Sequence, residues 1–347
     1  MKRKEKKEST RLKTTLKVLL ILATSLIICG ATYGIYLTKK AENAANRAYE
    51  ELGDRNQSAK RDAKVVPIED NVSILFVGID DSEAREQGAD HARSDALILA
   101  TMNVETKTVK TLSIPRDSYV YIPSRDREDK INHAHAFGGT LSTIETVENL
   151  LDIPVDYYVR MNFNAFIDIV DALGGIEVEV PYDMVELDEH DKYAVKLEKG
   201  LQKLNGTESL ALARTRKKDS DIERGKRQQE ILKAIANQAA KPSSILKYDD
   251  LIDAVADNTK TNMTFSEMKS FLSYLSSGMP RIDSLYLAGD DDWSTGVYYY
   301  KLDDESLNET IYTLKNHLGL EKKVDTSEED EESSNSSKSS ISDFSER

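Results

Sequence analysis

Between residues 18 and 37 the chain runs "VLLILATSLIICGATYGIYL" without one charged side chain. Twenty mostly apolar residues are about the length a helix needs to cross the hydrocarbon of a bilayer. Whatever else the chain folds into must then be arranged around that segment. The first seventeen residues hold eight Lys and Arg against Glu5 and Glu8. Positive charge beside a span stays on the cytoplasmic side, so residues after Lys39 are expected outside the cell. A cleaved signal peptide is the rival, but the run is long for one and no small-residue cleavage pattern follows it. A lipoprotein signal at Cys29 would need small residues where Ile27 and Ile28 stand. The expectation is a basic cytoplasmic tail at 1–17 and a single-pass transmembrane signal anchor at 18–38. Cys29 is the one cysteine and lies inside the span, so the outer part has no disulfide and depends on its core.

Residues 39–66 are polar and rich in Ala, Glu, Lys and Arg, and are expected as a stalk. From residue 321 onward the chain becomes "EKKVDTSEEDEESSNSSKSSISDFSER", too poor in apolar residues to offset the entropy of ordering, so 321–347 is expected as a disordered tail. Residues 67–320 are long enough for one domain with a sizeable core. In it, "SILFVGI" (73–79) and "ALILATMNV" (96–104) are nearly continuous apolar runs, which suit strands covered on both faces. "TVKTLSI" (108–114), "VDYYVRM" and "IEVEV" read as further strands. Helical patterns alternate with them at 140–151, 164–173, 206–213, 224–240, as a pair between 243 and 277, and at 305–318. The pattern predicts an α/β fold, an α/β/α sandwich with a central mixed sheet.

Three features of this frame can carry chemistry. Asp80 ends the first strand and Asp95 stands just before the second. If those strands are antiparallel neighbours, two carboxylates converge at the base of the loop from Asp81 to Ser94. Hard oxygen donors of this kind suit Mg²⁺, with Mn²⁺ as a substitute, although Asp also caps turns routinely. In "SIPRDS", Arg116 follows the third strand at the same edge, with Asp117 as its neighbour. The third feature is "ARTRKKDSDIERGKRQQ" (213–229), seven Lys and Arg in seventeen residues of a chain whose net charge is -14. A solvated charged helix is the bland explanation. The spacing favours a built site: Arg214 and Arg216 project to one side if extended, while Asp221, Arg224 and Gln228 share one helical stripe with Arg227 beside it. Guanidinium forks match phosphate oxygens, and a diphosphate is the ligand they fit.

"ILFVGID", "ARSDALIL", "SIPRDS", "KINHAHAFGG", "VDYYVRMNF…VDALGGIEVEVP" and "ALARTRKKDSDIERGKRQQ" occur in the order found in the LytR-CpsA-Psr family, which the chain resembles from about residue 71 to 240. The resemblance implies a membrane-anchored phosphotransferase of a Gram-positive or related bacterium. Such an enzyme moves a glycopolymer (wall teichoic acid, capsular polysaccharide or similar) from an undecaprenyl diphosphate carrier to N-acetylmuramic acid of peptidoglycan. It implies a core that holds the polyprenyl tail and a mouth that binds the diphosphate. Carried over by motif, the metal carboxylates fall on Asp80 and Asp95. The diphosphate-binding groups fall on Arg116, Arg214, Arg216 and Arg224, with Arg93 and Gln228 beside them and Asp221 as a polar member of the last motif. Asp95 or Asp221 could receive the acceptor's proton. Many members carry a second arginine shortly after "PRD", where this chain has Tyr119.

His133 and His135, two apart with no Cys or third His nearby, make a weak metal site and suit a structural role better, with Lys130 and Asn132 fixing the loop or lining the site. Two other functions remain for comparison. A membrane-tethered regulator could use the basic cluster on nucleic acid, but the cluster lies on the outer side and no helix-turn-helix pattern appears, so no nucleic acid is expected. A diphosphate hydrolase could use the same groups with water as acceptor.

Overall fold

The computed structural model describes residues 2–67, 69–80, 92–188, 194–216, 220–274 and 278–320. The acidic tail and most of the loop from Asp81 to Ser94 lie outside the described residues. The chain opens with helix α1 (Lys2–Ala48), followed by β1 (Val72–Ile79), β2 (Ser94–Asn103) and β3 (Thr108–Ser113), then the hairpin of β4 (Tyr119–Ile122) and β5 (Arg127–Lys130). Next come α2 (His133–Leu151), β6 (Tyr157–Asn162), α3 (Phe163–Ala172), β7 (Ile176–Val180) and the hairpin of β8 (Met184–Leu187) and β9 (Ala194–Leu197). β10 (Gly200–Leu204), α4 (Gly206–Arg214), α5 (Asp221–Ala239), α6 (Tyr248–Asn258), β11 (Thr259–Thr261) and α7 (Phe265–Tyr274) follow. The fold ends with β12 (Arg281–Tyr286), β13 (Gly289–Asp292), β14 (Tyr299–Leu302) and α8 (Asp304–Leu318).

The central sheet has the order β11-β6-β1-β2-β3-β12. It is mixed: β1 with β6 and β3 with β12 run parallel, and the remaining neighbours are antiparallel. Helices cover both faces, as the alternation of strands and helices predicts. β7 does not join this sheet; it pairs with β10 and packs with α3, α4 and α5 in a second cluster around Val170, Ile176, Leu212 and Ile231. The edge strand β12 was not foreseen, because "RIDSLY" is half-exposed and neither alternates strictly nor runs continuously apolar.

The two faces of the sheet are filled differently. Side chains alternate along a strand, so Leu75, Leu97 and Leu99 point one way and Phe76, Ala96 and Ile98 the other. The first set is fully buried against Ile144, Val147 and Leu151 of α2 and Leu314 and Leu318 of α8. The second set faces α3, α4 and α5 across a cavity of about 400 Å³. Phe76 pairs with Ile98 and Gly78 with Ala96 across the two strands. A Cβ on Gly78 would stand 3.1 Å from that of Ala96, so the small pair keeps the cavity floor low.

The apolar run lies within α1, where Leu19, Leu20, Leu22, Leu26, Ile27, Ile28 and Ile35 are 58 to 75 % exposed. Among the described residues no helix is long and apolar enough to cross a membrane. The segment expected as a stalk is docked on the domain instead of standing clear of it. Ala44, Ala45 and Ala48 of α1 are buried, and Lys40 pairs with Asp249 and Asp253 of α6 at 2.7 and 2.8 Å. Farther on, Arg55 donates to both carboxylate oxygens of Glu148 at 3.1 and 2.8 Å, and Arg61 to both of Asp156 at 2.9 and 2.7 Å. The charges that make 39–66 look solvent-borne are the partners of buried acids.

Candidate active site at the end of the sheet

β1 and β3 end, and β2 begins, at one edge of the sheet, because β1 and β3 both run antiparallel to β2. This edge brings Asp95 and Arg116 to one end of the cavity, while Asp80 stands at the same strand ends without lining it. Pairing is irregular there: Gly78 stands opposite Ala96 but Ile79 opposite Ser94, so Asp95 is the extra residue of a β-bulge. A bulge re-aims a side chain that simple alternation would send to the other face. Asp95 consequently lines the same cavity as Ala96 and Ile98. Asp80, one residue past β1, follows the parity of Phe76 and Gly78 and is buried.

The cavity is apolar for most of its length. Phe76 and Ile98 of the sheet, Phe163, Phe166 and Ile169 of α3, Leu210 of α4 and Ile231, Leu232 and Ile235 of α5 line it. Its polar end is made by Asp95, Arg116, Arg214, Arg216, Arg224 and Gln228. A second, polar cavity of about 260 Å³ adjoins it, lined by Arg93, Asp95, Arg116, Asp117, Lys130, Asn132 and Arg216. The structure therefore gathers the sequence-predicted arginines around one opening. Asp221 stands behind it as the partner of Arg224, with Oδ1 at 3.2 Å from Nη1.

Local rules place each group. Asn162 caps α3 by accepting a hydrogen bond from the backbone N–H of Ala165, and Asn205 with Glu208 forms a capping box on α4. Arg214 is not in extended chain as the spacing suggests. It closes α4, and its guanidinium lies 5.0 Å over the Phe163 ring while donating to the Asp188 carbonyl at 3.3 Å. Thr215 is extended and carries the chain to Arg216, which is exposed. Ser220 caps α5, whose first turn holds Asp221 and Arg224, so a positive helix end faces the opening. Gly225 lets α5 lie directly on β3; a Cβ there would meet Ser113 Oγ at 2.4 Å. Gln228 donates to the Ala213 carbonyl at 3.3 Å. Arg227 turns away from the opening and donates to the carbonyls of Leu212 and Thr215 at 3.2 and 2.6 Å. It secures the end of α4 and does not join the stripe.

The electrostatics suit an anion at the arginine-lined end of the cavity. Burial, opposed by Asp221 and Asp95 and helped by Arg116 and Arg216, lowers the pKa of Arg224 to about 10. Burial also acts against Arg116, but Asp95, Asp117 and Asp221 outweigh it and raise its pKa. Arg116 donates a hydrogen bond to Asp95 Oδ1. Asp117, despite burial, is held below the usual carboxylate range by Lys130, whose Nζ is 2.9 Å away, and by Arg116. Several buried polar atoms here lack a hydrogen-bond partner among the described residues: Ser94 Oγ, Asn132 Oδ1, Asp221 Oδ2 and Arg224 Nε. Buried groups are rarely left so, and a ligand rich in oxygen would satisfy the donors among them. His133 bonds Asp129 at 3.0 Å and fully buried His135 bonds the Ala92 carbonyl at 2.8 Å, so both histidines hold backbone and neighbouring side chains. Tyr119, in the place of the second arginine, packs edge-on against Tyr299 at 4.8 Å.

Among the described residues no group of three or more His, Cys, Asp or Glu could hold a metal. Asp80 and Asp95, the carboxylates expected to hold Mg²⁺ or Mn²⁺, stand at adjacent strand ends, and Asp95 is the ion-pair partner of Arg116. Ser94, Glu186 and Phe163 belong to the site's surroundings without having been foreseen. Glu186 accepts a hydrogen bond from Thr215 at 2.5 Å, and nothing in its spacing announces that pairing.

An apolar chamber inside an α/β sandwich, closed at one end by guanidiniums, defines a protein that holds an amphiphile by its tail and its anionic head. The chain belongs to the LytR_cpsA_psr family, whose profile matches residues 35–316. It is 42% identical over 317 residues to the polyisoprenyl-teichoic acid–peptidoglycan teichoic acid transferase TagT of Bacillus subtilis, covering 91% of this chain and 98% of that protein. Among solved structures it resembles TagT bound to LIIa-WTA, at 40% identity and a TM-score of 0.66 over 78% of this chain and 99% of the other. It also resembles a LytR-CPS2A-psr family protein, YwtF (TagT), with bound octaprenyl pyrophosphate lipid, at 37% identity and a TM-score of 0.61 over the same shares.

Proposed function

We propose that this protein is a membrane-anchored phosphotransferase that moves a glycopolymer from a polyprenyl diphosphate carrier to peptidoglycan. The observation that carries the proposal is the pairing of a 400 Å³ apolar cavity with four arginines and Asp95 at its polar end. Relatives named as teichoic acid transferases, and a related structure holding octaprenyl pyrophosphate, support the same reading. The exposed leucines and isoleucines of α1 support an anchor: a solvated helix with so many large apolar side chains would be an unusual surface in water. With the basic end of α1 in the cytoplasm, the domain lies outside.

The chemistry follows from the placement of the groups. The prenyl tail lies between the sheet and α3, α4 and α5. Arg214, Arg216 and Arg224 bind the diphosphate at the mouth, with Arg93 and Gln228 beside them. The hydroxyl of the acceptor sugar attacks the polymer-side phosphorus, and polyprenyl phosphate leaves. Phosphoryl transfer of this kind needs positioning and charge stabilisation more than covalent participation. Arg116 and Arg224 take up charge that develops on the leaving phosphate. Asp80 and Asp95 would hold Mg²⁺ or Mn²⁺, which supplies further neutralisation of phosphate oxygens when bound. Asp95, which lines the cavity, or Asp221, paired with Arg224 behind it, would receive the hydroxyl proton.

A nucleic-acid regulator fits this arrangement poorly, since the arginines face into a chamber too apolar for a sugar–phosphate backbone. The test is polymer transfer to wall fragments in vitro. Asp80→Ala and Arg214→Ala are each expected to lower transfer at least 100-fold while circular dichroism and melting temperature stay near those of the parent. Full activity in both would place the site elsewhere. Water as the only acceptor, judged by products with and without peptidoglycan oligomers, would make the protein a hydrolase.

A further inference from the structure

We propose that the hairpin of β13 and β14 is the platform on which the acceptor glycan lies. The hairpin is fixed to the segment that carries Arg116: the Tyr300 backbone N–H donates to the Asp117 carbonyl at 2.9 Å, and Ser118 and Tyr300 form a β-bridge. Its surface is aromatic. Trp293, the chain's single tryptophan, is 64 % exposed with its ring 5.1 Å from that of Tyr298. Lys130 joins this surface to the catalytic end, since its Nζ lies 5.5 and 5.6 Å from the rings of Tyr298 and Tyr299 while it lines the polar cavity with Arg116.

Exposed, rigid aromatic faces beside carboxylates suit pyranose rings, whose C–H faces stack on the ring and whose hydroxyls donate to acidic oxygens. Asp291 accepts a hydrogen bond from the Tyr298 hydroxyl at 2.9 Å, which fixes that ring, and Asp292 accepts from the Ser294 backbone N–H at 2.8 Å, which shapes the turn that carries Trp293. The arginines at the polar end of the apolar cavity take the diphosphate of the donor, and the aromatic hairpin joined to that end through Lys130 is left for the acceptor. This assignment rests on the transfer reading above.

The test uses full-length protein in detergent micelles and peptide-free glycan strands of alternating N-acetylglucosamine and N-acetylmuramic acid. In the parent, the fluorescence of the single tryptophan is expected to shift saturably as strands are added. In the transfer assay, Trp293→Ala is expected to raise the acceptor KM at least tenfold, with kcat and the donor KM within twofold, and Trp293→Phe to restore most of the loss. An unchanged acceptor KM, or a change confined to the donor, overturns the proposal and leaves the transfer reading standing. If the parent transfers no polymer at all, the transfer reading fails separately. The fluorescence titration then decides the platform: a saturable shift upholds it and a flat response overturns it.

Discussion

Asp95 reaches the cavity only because one residue of β2 goes unpaired. The sequence places a carboxylate at the start of that strand, but a strict alternation from Ala96 and Ile98 would turn it to the packed face. Bulges have no signature in residue identity, so its direction was not legible. The arginines were legible, because guanidinium groups at this density have few uses in an acidic chain. Arg227 was not separable from its neighbours, since a helical stripe leaves the choice between solvent, ligand and backbone open. His317 makes a prediction at the same scale. Its ring bonds Thr101 at 2.8 Å and Thr108 at 2.9 Å, and burial, with help from Lys110, pushes its pKa down to about 4. The native ring is neutral while the unfolded one titrates near pH 6.5. The unfolded chain therefore binds the extra proton between those values, and stability falls as pH drops from about 6.5 toward 4. By pH 4.5 the loss should reach roughly 2 kcal/mol. Thermal melts from pH 7 to 4.5 should show a shallower decline for His317→Gln, which does not titrate.

Elements are positioned by close approaches as much as by apolar faces. Gly206 begins α4 where a Cβ would stand 2.5 Å from the Ile167 carbonyl oxygen of α3. That contact is with backbone, which cannot swing aside. Gly206→Ala is expected to cost about 1–3 kcal/mol, a drop of roughly 3–10 °C in melting temperature for a domain of this size. Because α4 ends in Arg214, weaker diphosphate binding should accompany it. The sequence showed α3, α4 and α5 and the first three strands well, each being a long periodic or continuous apolar segment. β12, β13 and β14 escaped notice because charged and aromatic residues at a sheet edge or in an exposed hairpin follow neither period. "GDDDW" looks like a loop until β14 pairs with it.

At the scale of the whole molecule, the segment between the apolar run and β1 belongs to the domain. Glu148 and Asp156 have side chains only 8 and 2 % exposed and are paired with Arg55 and Arg61. Removing one partner of a buried ion pair costs about 3–5 kcal/mol. A fragment starting at Ala44 should melt near the temperature of the full chain, whereas one starting at Lys64 should melt at least roughly 10 °C lower or fail to fold. Composition suggested a stalk because lysines, arginines and acids look the same whether they meet water or each other. Given the anchoring proposed above, the continuity of α1 into this docked segment would set an altitude. About seven residues separate Leu37 from the buried Ala44, a helical rise of roughly 10 Å against roughly 5–8 Å for one headgroup layer. Anchored so, the domain would sit just above the lipid headgroups, and a carrier would slide its tail from bilayer to chamber with little exposure to open water.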